Sequence, residues 1–160
     1  MGDLFSSPAL PHWPDQAVQV LERELERHVL RPVTLIGSSL GGYYATYLAE
    51  KHNLRAVLIN PAIDPHIGLR AYLGPQENPY SGEKYHLTEE HLRQWEQQRI
   101  HEIHPERYLL LVETGDEVLD CRLAVKRYRG ANQVVVHGGN HALLSFPQHI
   151  PLIMKFAGLA

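Results

Sequence analysis

The sequence predicts an α/β fold, in which a mostly parallel sheet carries helices on both of its faces. Four strand-length runs are continuously apolar rather than alternating, which is typical of strands that are covered on both sides. Helical patterns lie between the runs, and this strand–helix–strand order indicates parallel pairing. The four runs occupy residues 33–36, 56–59, 109–112 and 134–136.

Length and composition agree with this fold class. A chain of 160 residues with 44% apolar and 21% charged residues is expected to form one domain, residues 1–160. The net charge of −3, with both signs interleaved, provides no basic stripe for nucleic acid. Cys121 is the only cysteine, and neither a secretory signal pattern nor an apolar run of about 18 residues is present. We therefore expect a cytoplasmic protein that binds neither nucleic acid nor membrane.

The helices follow from periodicity and capping signals. A proline-rich stretch, residues 8–14, is expected to be extended, and Asp15 is the predicted N-cap of a helix that ends near residue 29. The apolar positions of that helix recur every three to four residues, so one face should pack on a flat surface. Further helices are predicted over residues 42–51 and 150–157. The apolar positions of the first helix are Ala17, Val18, Leu21, Leu25 and Val29.

The second and third apolar runs are separated by an unusually long insertion, residues 61–107. Long ordered insertions over the strand ends often form lids or substrate walls, so we expect this segment to cap the sheet. Within it, Thr88 precedes an acidic first turn and predicts the start of a helix over residues 89–96.

A nucleophile motif follows the first strand. The run Gly37-Ser38-Ser39-Leu40-Gly41 fits the pattern G-x-S-x-G with Ser39 at its centre, whereas Ser38 does not fit that frame. Glycine is needed because neighbouring backbones must approach closely at a strained strand-to-helix turn. The turn would expose the Ser39 hydroxyl and place the Leu40 N–H where it could stabilise an oxyanion. A glycine-rich turn without catalysis is the alternative interpretation.

A serine nucleophile requires a base, and His141 is the best candidate for that role among the eleven histidines. The last strand ends near residue 136, and residues 138–141 then leave the carboxyl edge of the sheet, where active sites of such folds lie. His137 stands at the strand end itself, so its ring is expected to be packed or turned aside.

The base in turn requires a carboxylate that fixes its tautomer. Asp116 follows the third strand through a glycine turn and is the best candidate, with Glu117 and Asp120 as near alternatives and Asp64 as a distant one. Serine, acid and histidine occur in the chain order that α/β-hydrolases use. Although histidines are numerous, their spacings include no H-E-x-x-H and there is no second cysteine, so no metal site is predicted.

Several further motifs resemble the YqiA family of bacterial esterases, and the match extends from about residue 8 to the end. It implies an α/β-hydrolase-type sheet, a triad of Ser39, Asp116 and His141, and hydrolysis of small carboxylic esters or thioesters without a metal or organic cofactor. It also implies that Asn78 and Tyr80 belong to a substrate-binding segment over the active site. The motifs are residues 37–46, 60–62, 72–74, 77–80, 114–120 and 138–142.

The resemblance also has a gap at the N-terminus. Family members begin with a strand that ends in a His-Gly loop, followed by a helix, and these have no counterpart in this sequence. We therefore expect an N-terminally truncated fold, in which the strand over residues 33–36 has an unpaired apolar edge. Because that loop supplies the second oxyanion donor, the Leu40 N–H would be the one that remains, and the chain would be a feeble esterase.

Three functions are compatible with these patterns. The leading prediction is a serine carboxylesterase or thioesterase that forms an acyl-enzyme on Ser39. The alternatives are a non-catalytic binding module that kept only the motif turn, and an acyltransferase. The acyl chain length, the leaving group and the oligomeric state do not follow from the sequence.

Overall fold

A computed structural model describes residues 5–78 and 81–159 of the chain. Two compact units are present: a sheet unit, residues 33–65 and 99–160, and a hairpin unit, residues 1–32 and 66–98. Short 3-10 turns occupy residues 69–72 and 105–107. In chain order, the other elements are α1 (Pro14–Glu26), β1 (Thr34–Ser38), α2 (Leu40–His52), β2 (Arg55–Ile59), α3 (Pro65–Gly68), β3 (Gly74–Glu77), β4 (Lys84–Leu87), α4 (Glu89–Gln97), β5 (Tyr108–Glu113), α5 (Cys121–Arg127), β6 (Asn132–Val136) and α6 (Phe146–Ala157).

The sheet unit is built on a four-stranded, entirely parallel sheet in the order β1-β2-β5-β6. Helices α2 and α5 supply Ala45, Ala49 and Ala124 to the core on one face of the sheet. Helix α6 packs Ile153 on the opposite face, together with Leu143 from the loop that precedes it. Among the described strands, β1 and β6 are the two edges of this sheet. The predicted α/β architecture with helices on both faces is confirmed.

The predicted strands all lie inside observed strands or overlap them by most of their length. Strand β5 is buried at every position, as its continuous apolar run predicted. Two helices begin earlier than expected: α2 begins at Leu40 rather than residue 42, and α6 begins at Phe146 rather than residue 150. Periodicity missed these first turns because a glycine pair opens α2 and a proline lies in the first turn of α6.

In the hairpin unit, α1 ends three residues earlier than predicted, and its N-cap is Trp13 rather than Asp15. Ala17 is buried as expected, but Val29 lies beyond the helix and is 79% exposed, so its assignment to the buried stripe was wrong. The chain turns after residue 26 and carries Val29 away from the apolar face. Asp15 instead connects α1 to α4, because its N–H donates to Gln94 and its carboxylate accepts from Gln98.

The insertion over residues 61–107 contains more structure than the single predicted helix. Strands β3 and β4 form an antiparallel hairpin that the sequence did not predict, and α4 begins after Thr88 as expected. Asn78 shapes the hairpin turn, since its Oδ1 accepts the Ser81 N–H at 3.2 Å. The role of the insertion as a cap or lid stays a prediction.

The described residues provide neither a membrane-spanning helix nor a metal-binding cluster. No helix within residues 5–78 and 81–159 has the length and apolar character needed to cross a bilayer. The same residues contain no group of three or more His, Cys, Asp and Glu side chains placed to hold a metal ion.

Candidate active site

Ser39 lies at a sharp turn between β1 and α2. Its backbone has φ 53° and ψ −121°, a conformation that side-chain-bearing residues adopt only when the surroundings enforce it. Two hydrogen bonds to the end of β2 and the residues that follow it enforce this conformation: the Ser39 N–H donates to the Ile59 carbonyl at 3.0 Å, and the Ser39 carbonyl accepts the Ala62 N–H at 2.9 Å. The motif therefore forms the strained strand-to-helix elbow that it predicted.

Close contacts explain two glycines of this turn, Gly37 and Gly42, whereas the motif specifies Gly37 and Gly41. A Cβ on Gly37 would lie 2.2 Å from the Gly41 carbonyl oxygen, and a Cβ on Gly42 would lie 2.6 Å from Cβ of Pro61. Gly41 itself has nothing within 4 Å of its Cβ position outside its own helix. The steric requirement therefore falls on Gly37 and Gly42, and the steric reason predicted for Gly41 was wrong.

Asp116 and His141 are in direct contact. The His141 Nδ1 lies 3.0 Å from Oδ1 and 2.9 Å from Oδ2 of Asp116, whose side chain is only 1% exposed. Asp116 is itself fixed, because Oδ1 also accepts the N–H groups of Val118 and Leu119 at 2.8 and 2.9 Å. Since a carboxylate can only accept, Nδ1 of His141 carries the proton and Nε2 is left with its lone pair.

The alternative acids and the alternative base have other partners. Glu117 accepts the backbone N–H of His141 at 3.0 Å rather than contacting its ring. Asp120 caps α5 and pairs with Arg122, while Asp64 pairs with Arg99 at 2.8 Å. His137 is exposed, and its Nδ1 is 3.4 Å from the Thr114 hydroxyl. Of these candidates, only Asp116 contacts the imidazole ring of His141.

Asn60 connects the Ser39 elbow to the loop that carries His141, residues 138–145, which we call the histidine loop. It is 2% exposed and has φ 38°, and its Nδ2 donates to the carbonyls of Asn140 and His141 at 3.1 and 2.9 Å. Ile59, which precedes it, and Ala62, two residues after it, both hydrogen-bond to the backbone of Ser39. No hydrogen bond joins the Ser39 hydroxyl directly to His141 within the described residues, and such contacts in ligand-free enzymes are often open. Sequence reasoning gave Asn60 no role.

The predicted site residues lie at one edge of the sheet. Ser39 follows β1, Asp116 follows β5 and His141 follows β6, and the carboxyl ends of parallel strands share an edge. Leu40 is the first residue of α2, so its N–H has no acceptor within the helix. Asn78 lies in the hairpin unit and Tyr80 lies outside the described residues, so their substrate-binding role stays a prediction.

Solved structures with the same fold include three that are described as hydrolytic proteins or domains. A protein from Agrobacterium vitis S4 described as a hydrolase has a TM-score of 0.71 and 18% identity, over 91% of this chain and 69% of that one. The mouse alpha/beta hydrolase domain-containing protein 10 has a TM-score of 0.67 and 17% identity, over 92% and 69%. The monoacylglycerol lipase of Paleococcus ferrophilus has a TM-score of 0.60 and 16% identity, over 92% and 76%. These similarities establish the α/β-hydrolase fold.

The family is established by a match over nearly the whole chain. Residues 4–158 match the Uncharacterised protein family (UPF0227), which is the YqiA-like family that the motifs predicted. Because this match covers nearly the whole chain, the chain belongs to the UPF0227 family.

Proposed function

We propose that this protein is a serine hydrolase that cleaves carboxylic esters or thioesters through an acyl-enzyme on Ser39. The observation that carries the proposal is the contact of 2.9 Å between the His141 Nδ1 and the buried Asp116 carboxylate, at the same sheet edge as the Ser39 elbow. A histidine held in this tautomer presents Nε2 as a proton acceptor, which is what a serine nucleophile requires.

The proposed reaction has two balanced steps. As the Ser39 oxygen attacks the carbonyl carbon, its proton passes to Nε2 of His141, and the carbonyl oxygen becomes an oxyanion near the Leu40 N–H. Collapse of this intermediate breaks the bond to the alcohol or thiol, which leaves with the proton from His141. Water then attacks the acyl-enzyme with His141 again as base, which releases the acid and regenerates Ser39.

Two kinds of support favour hydrolysis of an ester. The Paleococcus ferrophilus protein of the same fold is named a monoacylglycerol lipase, and Ser39, Asp116 and His141 occur in the chain order of α/β-hydrolases. An acyltransferase would use the same acyl-enzyme and differ only in its acceptor, so product analysis with added alcohols separates the two activities.

The decisive experiment treats the purified protein with a fluorophosphonate probe and with short-chain nitrophenyl esters and acyl thioesters. Labelling should fall on Ser39, and Ser39→Ala should lower turnover by up to about a millionfold, because the nucleophile is lost. Ser38→Ala is the matched control, since Ser38 is exposed, adjacent and outside the motif frame, and it should retain both labelling and turnover. Turnover that survives Ser39→Ala would refute the proposal.

A further inference from the structure

Glu113 is a carboxylate buried at the end of the most buried strand. It is the last residue of β5 and is 1% exposed, in a setting where an unpaired charge would be costly. Its acceptor sites are filled from one short segment. Oε2 accepts the N–H groups of Asn140 and Leu144 at 2.7 and 3.1 Å, and Oε1 accepts the Ser145 N–H at 2.8 Å.

These contacts stabilise the ionised form of Glu113. Burial raises the pKa of this carboxyl, but hydrogen bonds from the Ser145 side chain and from the backbone of Asn140, Ser145 and Leu144 outweigh burial and bring the pKa below its ordinary value of 4.5. Glu113 therefore acts as a fixed anion whose ligands are the N–H groups of residues 140–145. Bonds of this charge-assisted kind are the stronger class of hydrogen bond.

The segment that Glu113 binds carries His141 and has an unusual backbone. Gly138, Gly139 and Leu143 have φ values of 81°, 73° and 58°, and this left-handed conformation is costly for Leu143, which bears a side chain. Glu113 also touches this backbone closely, since a Cβ on Gly139 would lie 1.9 Å from Oε2. Such a loop keeps one conformation only where its surroundings determine it.

Asn60 holds the same loop from the neighbouring strand. While Glu113 accepts the Asn140 N–H, the Asn60 side chain donates to the carbonyls of Asn140 and His141. The Oδ1 of Asn60 also accepts the Glu113 N–H at 3.0 Å, so the two side chains form one buried network. Glu113 and Asn60 together therefore hold backbone groups on both sides of His141, while the His141 N–H itself is bound by Glu117.

We infer that Glu113 is a positioning residue for the base: its buried anion fixes the 138–145 loop so that Nε2 of His141 meets Ser39. The inference rests on the proposed function and extends it to a residue that never touches substrate. Loss of the anion should therefore reduce proton transfer in the chemical step. Substrate affinity should change little.

The test compares Glu113→Gln with Glu50→Gln. Glu50 is a matched control because it is another buried carboxylate of the sheet unit, 8% exposed and bound by Arg107, Tyr108 and His104, none of which belongs to the site. Glu113→Gln should lower kcat on the order of tenfold to a hundredfold with KM within about twofold. Glu50→Gln should leave kcat within about twofold even where it lowers the melting temperature comparably.

A double-mutant cycle separates positioning from general destabilisation. In a His141→Ala background, Glu113→Gln should cause no further loss in the rate of fluorophosphonate labelling, because the residue acts through His141. If Glu113→Gln does not fold, Ser145→Ala removes the hydroxyl that bonds to both Glu113 and His149, and it should lower kcat by about threefold whereas His149→Ala should not.

Two outcomes would overturn the inference alone. One is unchanged kcat in the folded Glu113→Gln variant, or in Ser145→Ala if that variant has to be used instead. The other is a loss in labelling rate on Glu113→Gln that is equally large in the His141→Ala background. Turnover that survives Ser39→Ala would instead remove the proposed function, and this inference with it.

Discussion

A buried titratable group in each unit of the molecule, Glu113 in one and His91 in the other, favours the opposite charge state. In the sheet unit, Glu113 is buried as an anion bound by backbone N–H groups. In the hairpin unit, His91 is fully buried and burial lowers its pKa below the ordinary value of 6.5, with the neighbouring His12 acting in the same direction. The first environment favours the charged form of its residue, and the second favours the neutral form.

The partners of each group explain this difference. The His91 Nδ1 accepts the Thr88 N–H at 3.2 Å, which leaves Nε2 to donate to Nδ1 of His12 at 3.0 Å, and the ring stacks on Trp13 at 3.8 Å. A neutral ring fits among aromatic neighbours without the cost of burying a charge. An anion, in contrast, can organise the polar backbone of a loop. We therefore expect the chemical step to depend on groups of the sheet unit, whereas the buried histidine of the hairpin unit contributes packing.

The sharpest test of this division is Asp116→Asn in the sheet unit. An amide at this position favours the wrong tautomer of His141, so kcat should fall by up to about ten-thousandfold with little change in fold. Steady-state kinetics measures the loss, and Glu117→Gln is the control, since Glu117 contacts the backbone of His141 rather than its ring. If Glu117→Gln were the more damaging substitution, the acid would have to be reassigned.

A second test asks whether the histidine loop is held as tightly as its contacts with Glu113 imply. Gly139→Ala should destabilise the protein by about 3 kcal/mol, because a left-handed backbone and a clash with the carboxylate combine. Gly138→Ala, at φ 81° but with nothing within 4 Å of its Cβ position, should cost only about 1 kcal/mol. Urea unfolding measures both values, and equal costs would mean that the Glu113 contact is easily displaced.

The smallest expected effect is a loss of stability of the hairpin unit as the pH is lowered. The folded His91 has a pKa below 6.5, so as the pH falls below 6.5 the unfolded chain binds a proton that the folded one resists, and stability declines. For Glu113 the corresponding decline begins only below pH 4.5. Both tryptophans, Trp13 and Trp95, lie in the hairpin unit, so their fluorescence emission reports on that unit. As the pH is lowered, this emission should change at a higher pH than the one at which β5 loses its protection from hydrogen exchange.

Substitution of the titrating group provides the control for this pH effect. His91→Gln cannot take up a proton and should remove the change in emission between pH 6.5 and 4.5, whereas the exposed His86→Gln should retain it. Emission and β5 protection that change together in the wild type would contradict the comparison.

The sequence predicted the sheet because its signal is local and strong. Each of the four strands buries a continuous apolar run, and β5 is buried throughout, so neighbouring residues alone carry the information. The β3–β4 hairpin was missed because strand formers are scarce in Gly74–Glu77, and antiparallel pairing with Lys84–Leu87 overrides their weak preference. Val29 was misplaced because an apolar period can continue after the helix itself has ended.

The candidate site was predicted where chemistry limits the choice of residue. Ser39 has a motif, and Asp116 and His141 follow strands in the required order, which are features of the sequence. Neither Glu113 nor Asn60 could be given a role in this way, because their roles depend on which distant backbone groups the strands bring to them. A glutamate that closes an otherwise apolar strand was the one available signal, and it indicates a buried acceptor in need of donors.

The position of Asn60 also has a consequence for how the protein folds. Its side chain bonds to Asn140 and His141, which lie 80 and 81 positions further along the chain. It also bonds to Glu113, 53 positions further along. Contacts at such separations form only after the entropy of closing long loops has been overcome, so they belong to the late stages of folding. During synthesis the elbow around Ser39 emerges long before the residues that hold His141. The chain therefore has its nucleophile turn early, and the base can be fixed only when nearly the whole sheet unit has been made.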